Sequence, residues 1–103
     1  MVDRVRSRNG VPIRLTDERW GHITDEHSEM TGLRSEVLGT VANPERILAG
    51  NHGALLSVRE VETGKFLVVV YNEEQDDGFI ITAFLTRRVK SLNRRSQIWP
   101  VLQ

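Results

Sequence analysis

Three long runs with the side-chain alternation of a β-strand, Ala54–Val61, Lys65–Asn72 and Phe79–Thr86, follow one another closely enough that an antiparallel meander is the natural arrangement. Glu62–Thr63–Gly64 supplies a hairpin turn between the first two, and the acidic loop Glu73–Gly78 ends in Asp77–Gly78, a turn dipeptide. Successive strand side chains point to opposite faces. In GFIITAFLTRR, therefore, Phe79, Ile81, Ala83 and Leu85 make one apolar face, while Ile80, Thr82, Phe84 and Thr86 make the other. Matching Phe66, Val68, Val70, Leu56 and Val58 to the core leaves Ser57, Arg59, Lys65, Tyr71, Thr82 and Thr86 on the opposite face, with Arg87 at the strand end. Two cations, a phenol and three hydroxyls on one face suit an anion, because guanidinium and ammonium groups bind phosphate oxygens by charge and hydrogen bonds. An ordinary solvated sheet face has the same polar character and stands as the plain alternative.

The first half of the chain has helical periodicity. Val11–Leu15 reads as a short strand, and Thr16 is a cap whose hydroxyl can accept an unpaired amide hydrogen, with Asp17 and Glu18 at the positive end of the dipole. This first helix is expected to run to about Met30, with Trp20, Ile23, His27 and Met30 on its buried stripe and His22 on the opposite side. Ser35 is expected to cap a second helix that buries Val37, Leu38 and Val41 and stops at Asn43–Pro44. Arg46–Ala49 reads as a short strand and Arg87–Arg95 as a basic helix or turn. The expected architecture is α+β: two N-terminal helices packed on an antiparallel sheet, in a single domain spanning 1–103 with its core at about 11–95. The tail 96–103 carries Ile98, Trp99, Val101 and Leu102, too apolar to stay in water, so it should dock on its own domain or on a second copy in a homodimer.

Fourteen basic and fourteen acidic residues cancel, so no global positive field drives nucleic-acid binding and any phosphate site must be local. A local patch is available, because Arg87, Arg88, Lys90, Arg94 and Arg95 cluster while the acids concentrate at Asp17–Glu29 and Glu73–Asp77. There is no cysteine, which excludes disulfides and thiolate chemistry and fits an intracellular protein. The longest apolar run, Phe66–Val70, is too short to span a bilayer, and a cytoplasmic location with no membrane partner is the expectation. His22 and His27 fall about 140° apart on a helix and cannot chelate one ion together. No metal site, phosphate-binding glycine loop, dinucleotide fingerprint or other cofactor motif occurs, so no cofactor is expected.

Five features taken together resemble a known group: W-x-H-I, the second histidine in ITDEHSEM, Asn-Pro after the second helix, K-F-L-V-V-V-Y and the closing G-F-I-I-T-A-F-L-T-R-R. They are similar to the small phage-type and toxin-like members of the barnase–EndoU–colicin–RelE group of metal-independent ribonucleases, over about Ile13 to Arg88. The resemblance implies a two-helix, antiparallel-sheet domain that cuts RNA by attack of the ribose 2′-hydroxyl. It implies catalytic roles for His27 in proton transfer, for Arg59 and Lys65 in stabilising phosphorane charge, and for Thr82 as a hydrogen-bond donor, with Tyr71, Thr86 and Arg87 holding substrate. Toxin-like members also imply RNA as partner and a neutralising protein partner. Members commonly read Arg-His-Pro where this chain reads Glu26–His27–Ser28, so a carboxylate stands in place of a guanidinium beside the imidazole. That substitution and the zero net charge favour a second class, a non-catalytic module that keeps the fold and uses its polar face or apolar tail to hold a protein partner.

Overall fold

The chain begins with a hairpin rather than a helix. In the computed structural model, which describes Met1–Leu102, strand β1 (Val2–Arg6) turns through Ser7–Val11 into β2 (Pro12–Thr16), pairing Val2 with Thr16 and Arg6 with Pro12. Gly10 makes the turn at φ +82°, a conformation that L side chains rarely adopt. Helix α1 (Asp17–Glu26), a 3₁₀ turn at Ser28–Met30 and helix α2 (Arg34–Ala42) come next, followed by β3 (Arg46–Ala49), β4 (Leu55–Glu62), β5 (Lys65–Glu74), β6 (Asp77–Thr86), α3 (Val89–Asn93) and β7 (Gln97–Trp99).

The strands form one sheet in the order β1-β2-β6-β5-β4-β3-β7. The expected meander is its centre, with Val58 opposite Val68 and Val68 opposite Phe84. The expected architecture of two N-terminal helices on an antiparallel sheet is nevertheless corrected: strands come first, the sheet has seven strands and is mixed, and a third helix follows the meander. The sheet is mixed because β2 runs parallel to β6, with Ile13 beside Gly78 and Arg14 beside Phe79. Only glycine permits this approach, since a Cβ on Gly78 would lie 2.3 Å from the Asn72 carbonyl oxygen and 2.5 Å from Ile13 Cδ1. Strand β1 escapes a pattern reading because Val-Asp-Arg-Val-Arg turns Asp3 inward beside Val5. That inward acid accepts from Arg34 Nε at 2.8 Å, and the same guanidinium donates to Asp17 at 2.8 Å, so one side chain ties β1, α1 and α2 together.

Both faces of the sheet are covered. On one, α1, the 3₁₀ turn and α2 bury Ile23, Met30, Val37 and Val41 against Ile13, Leu15, Leu67, Val69, Tyr71 and Ile80. On the other, Leu92 of α3 joins Leu48, Leu56, Val58 and Val68. Thr16 caps α1 as its sequence predicts, accepting from Arg19 N at 3.0 Å. The helix stops four residues before the expected Met30, at Glu26, because His27 leaves the helical region at φ −130° and ψ 79°. Helix α2 begins at Arg34 with no side-chain cap, so Ser35 does not serve as one.

The tail docks on its own chain over Gln97–Trp99. Ala49 N donates to the Ser96 carbonyl at 2.8 Å, and Trp99 pairs with Ile47. The Arg8 guanidinium, from the hairpin at the opposite end of the strand order, lies 4.6 Å from the centre of the Trp99 ring. The sheet therefore curls round α2 until its two ends meet. Ile98, Val101 and Leu102 remain 45%, 77% and 73% exposed, which corrects the expectation that they are buried; Gln103 lies outside the described residues. Among the described residues, no helix is long and apolar enough to cross a membrane.

Candidate nucleic-acid interface

An irregularity in β6 redistributes the polar residues. Val70 pairs with Thr82 but Tyr71 pairs with Ile80, so Ile81 is an extra residue and the alternation changes phase there. Ser57, Arg59 and Tyr71 follow the face that α1 and α2 cover, whereas Thr86 follows the face beneath α3. The single six-residue polar face predicted from parity is thus split, and its correction traces to one inserted residue.

The side chains expected to act together have separate surroundings. Tyr71 is fully buried and receives a hydrogen bond from Ser57 Oγ at 3.4 Å. Burial pushes its phenol up from the ordinary value, outweighing the Ser57 bond, and nearby Glu73 pushes the same way. Arg59 is exposed over α2, its guanidinium 3.6 Å from where a Cβ on Gly39 would sit. Lys65 lines a depression with Glu29, Glu36 and Glu62, three carboxylates whose charge opposes a phosphate there. Arg87 lies 3.8 Å from Glu62 and donates to the Thr63 carbonyl at 3.4 Å. His27, at the end of α1, has Nδ1 3.8 Å from the Glu29 carboxylate and its ring centre 6.0 Å from that of Phe84. The expected pairing of His27 with Thr82 has a different form: the imidazole that shares a pocket with Thr82 is that of His22, together with Arg19 and Glu26.

A cavity of about 520 Å³ opens between the sheet and α3. Its walls are Leu56, Val70, Ile81, Phe84 and Leu92, and its polar rim is Thr86, Ser91, Arg88 and Arg95. Strand alternation puts Phe84 and Thr86 on the same face, and the short helix that follows swings Arg88 over it. Thr86 Oγ1 accepts from the Arg88 backbone N–H at 3.0 Å, which fixes the turn from β6 into α3. Arg95 Nη1 donates to the Ala49 carbonyl at 3.1 Å and so is held at the rim. Among the described residues, the Arg88, Lys90 and Arg94 side chains make no ion pair and no hydrogen bond; all three are exposed, and Arg88 lines the cavity itself. An apolar slot with cations at its mouth accepts a flat apolar body carrying an anionic group.

Beside this cavity, across Ile81, lies the smaller pocket of about 230 Å³ formed by Arg19, His22, Ile23 and Glu26 of α1 against Ile81 and Thr82. Arg19, His22 and Glu26 line it together because steps of three and four place them on one side of a helix. Sequence reasoning set His22 aside as pointing away from the core, which is why it reaches this edge pocket. Phe84 carries no chemical signal of its own in the sequence, where Arg88 and Arg95 belong to one basic run. The signal that joins them is the strand parity of Phe84 and Thr86 continued into that run. Among the described residues, no group of three or more His, Cys, Asp or Glu is placed to hold a metal ion.

No family model, curated protein or solved structure matches the chain.

Proposed function

We propose that the protein is a binding module for single-stranded RNA, with a base in the cavity beneath α3 and the neighbouring phosphates on Arg88, Lys90, Arg94 and Arg95. The observation that carries the reading is the apolar slot bearing Phe84, rimmed by Arg88 and Arg95. Single-stranded nucleic acid is held by this combination, in which base–aromatic contact supplies sequence-tolerant affinity and cations follow the backbone. The chain's zero net charge makes the local patch responsible for the electrostatic part.

Titrating a fluorescent oligouridylate with the protein at several salt concentrations tests the reading. Arg88→Ala and Arg94→Ala should each lower affinity and reduce the salt slope by about 1, and Phe84→Ala should cost about 1–3 kcal/mol with the slope retained. Wild-type protein that shows no salt-dependent binding overturns it. A second reading, metal-independent cleavage of that RNA to a cyclic phosphate, is favoured by the imidazole of His22 beside Arg19 and Thr82 and by His27 against Phe84. Incubation in chelator separates the two. Binding without cleavage supports the module, whereas cleavage abolished by His22→Ala or His27→Ala establishes the enzyme.

A further inference from the structure

We infer that the pocket between α1 and β6 reads the ribose 2′-hydroxyl, so that the protein selects RNA over DNA; this rests on the RNA-binding reading of the adjoining cavity. Three observations lead there. Thr82 Oγ1 is closed off from solvent and has no hydrogen-bond partner among the described residues, a state that costs free energy until something bonds it. Thr82 itself lines a pocket whose other polar groups are of mixed character: the Glu26 carboxylate accepts, Arg19 donates and the His22 ring does either. This pocket also meets the α3 cavity at Ile81.

A phosphate suits such a pocket poorly, because Glu26 opposes it. A sugar hydroxyl suits it well, being donor and acceptor at once: it can give its proton to Glu26 and take one from Thr82. Thr82 Oγ1 is closed off in this rotamer, so binding requires χ1 to turn to another staggered position that presents the hydroxyl to the ligand. At about 230 Å³ the pocket has room for a ribose and not for a further nucleotide. A base seated under α3 thus has its own or the next sugar across Ile81. The 2′-hydroxyl is the group by which a protein distinguishes RNA from DNA at one position.

The test compares affinities for an oligoribonucleotide and the oligodeoxyribonucleotide of the same base sequence, uracil retained in both. The wild-type protein should prefer RNA by about threefold to tenfold, the worth of one hydrogen bond. Thr82→Val should remove that preference by weakening RNA binding alone, Thr82→Ser should retain it, and Glu26→Gln should reduce it. Thermal melting establishes that each variant folds, and Glu26→Gln, at an exposed helix position, decides the matter should Thr82→Val fail to fold. Equal wild-type affinity for the two strands, or a preference that survives in both variants, overturns the inference while leaving the RNA-binding reading intact. Binding to neither strand overturns both.

Discussion

A single residue, Ile81, decides which side chains of this sheet can cooperate. Strict alternation from Phe79 to Thr86 puts Thr82 with Ile80; the inserted Ile81 breaks that relation and leaves Thr82 on the β6 edge against α1. Tyr71 shows the same divergence between pattern and environment. As a residue beside Arg59 and Lys65 in parity it looks like a ligand-binding phenol, yet in the fold it is a core side chain bonded to Ser57. Because burial raises its pKa above 10.0, the folded protein keeps the phenolic proton longer than the unfolded chain does. The stability that Tyr71 contributes is therefore complete below pH 10.0 and is lost as pH rises through the folded value. The chain has one tyrosine, so tyrosinate absorbance reports this residue alone. Its rise is expected above pH 10.0 in native protein and at the ordinary value in denaturant; coincident curves would contradict the burial.

At the scale of elements, β7 is the clearest case of sequence chemistry finding its outlet. Ile98, Trp99 and their neighbours signal a docked segment, and Pro100 bars a helix through them. The segment becomes an edge strand, with Trp99 beneath the Arg8 guanidinium. A cation over an indole is worth about 0.5–1 kcal/mol at an exposed site, and the lost pairing to β3 adds to it. Truncation after Ser96 is expected to lower the melting temperature by about 4–8 °C for each kcal/mol removed, read by circular dichroism. The apparent mass should stay the same, since the strand pairs with β3 of its own chain. A truncated protein that melts like the full chain would show that the pairing contributes nothing. Helix α1 gives the opposite lesson: its cap at Thr16 is legible, but its end is set by the turn into Met30, whose burial pulls the chain out of the helix after Glu26.

Over the whole molecule, a few ion pairs join segments distant in sequence, and the Asp17 and Asp77 carboxylates among them contribute to the acid limb of stability. The N-terminal ammonium and then Arg34 hold the Asp17 carboxyl below its ordinary 3.8, against a small opposing effect of burial. The Gly78 backbone amide, and then Arg14, do the same for Asp77. Lowered carboxylate pKa values mean that the unfolded chain binds protons first. Stability is thus fully present above pH 3.8 and declines as pH falls through the folded values. Thermal melts from about pH 6 to pH 2 should show this decline, and an Asp17→Asn, Asp77→Asn double variant should flatten it while remaining less stable near neutrality. An unchanged acid limb in that variant would assign the acid sensitivity to other groups.

Read alone, the sequence determines the meander, the cap of α1, the short β3 and the basic segment after β6, because each depends on local alternation, capping or turn chemistry. The tertiary structure decides what those rules do not reach. The parallel contact of β2 with β6 needs Gly78 to meet Ile13 from 65 residues away, and the inward Asp3 of β1 becomes tolerable only with Arg34 opposite. The candidate interface belongs to the same category. Phe84, Arg88 and Arg95 become one mouth, and Arg19, His22 and Thr82 one pocket, only once α1 and α3 have been laid against the two sides of β6, since convergence of side chains is a property of packing and not of spacing along the chain.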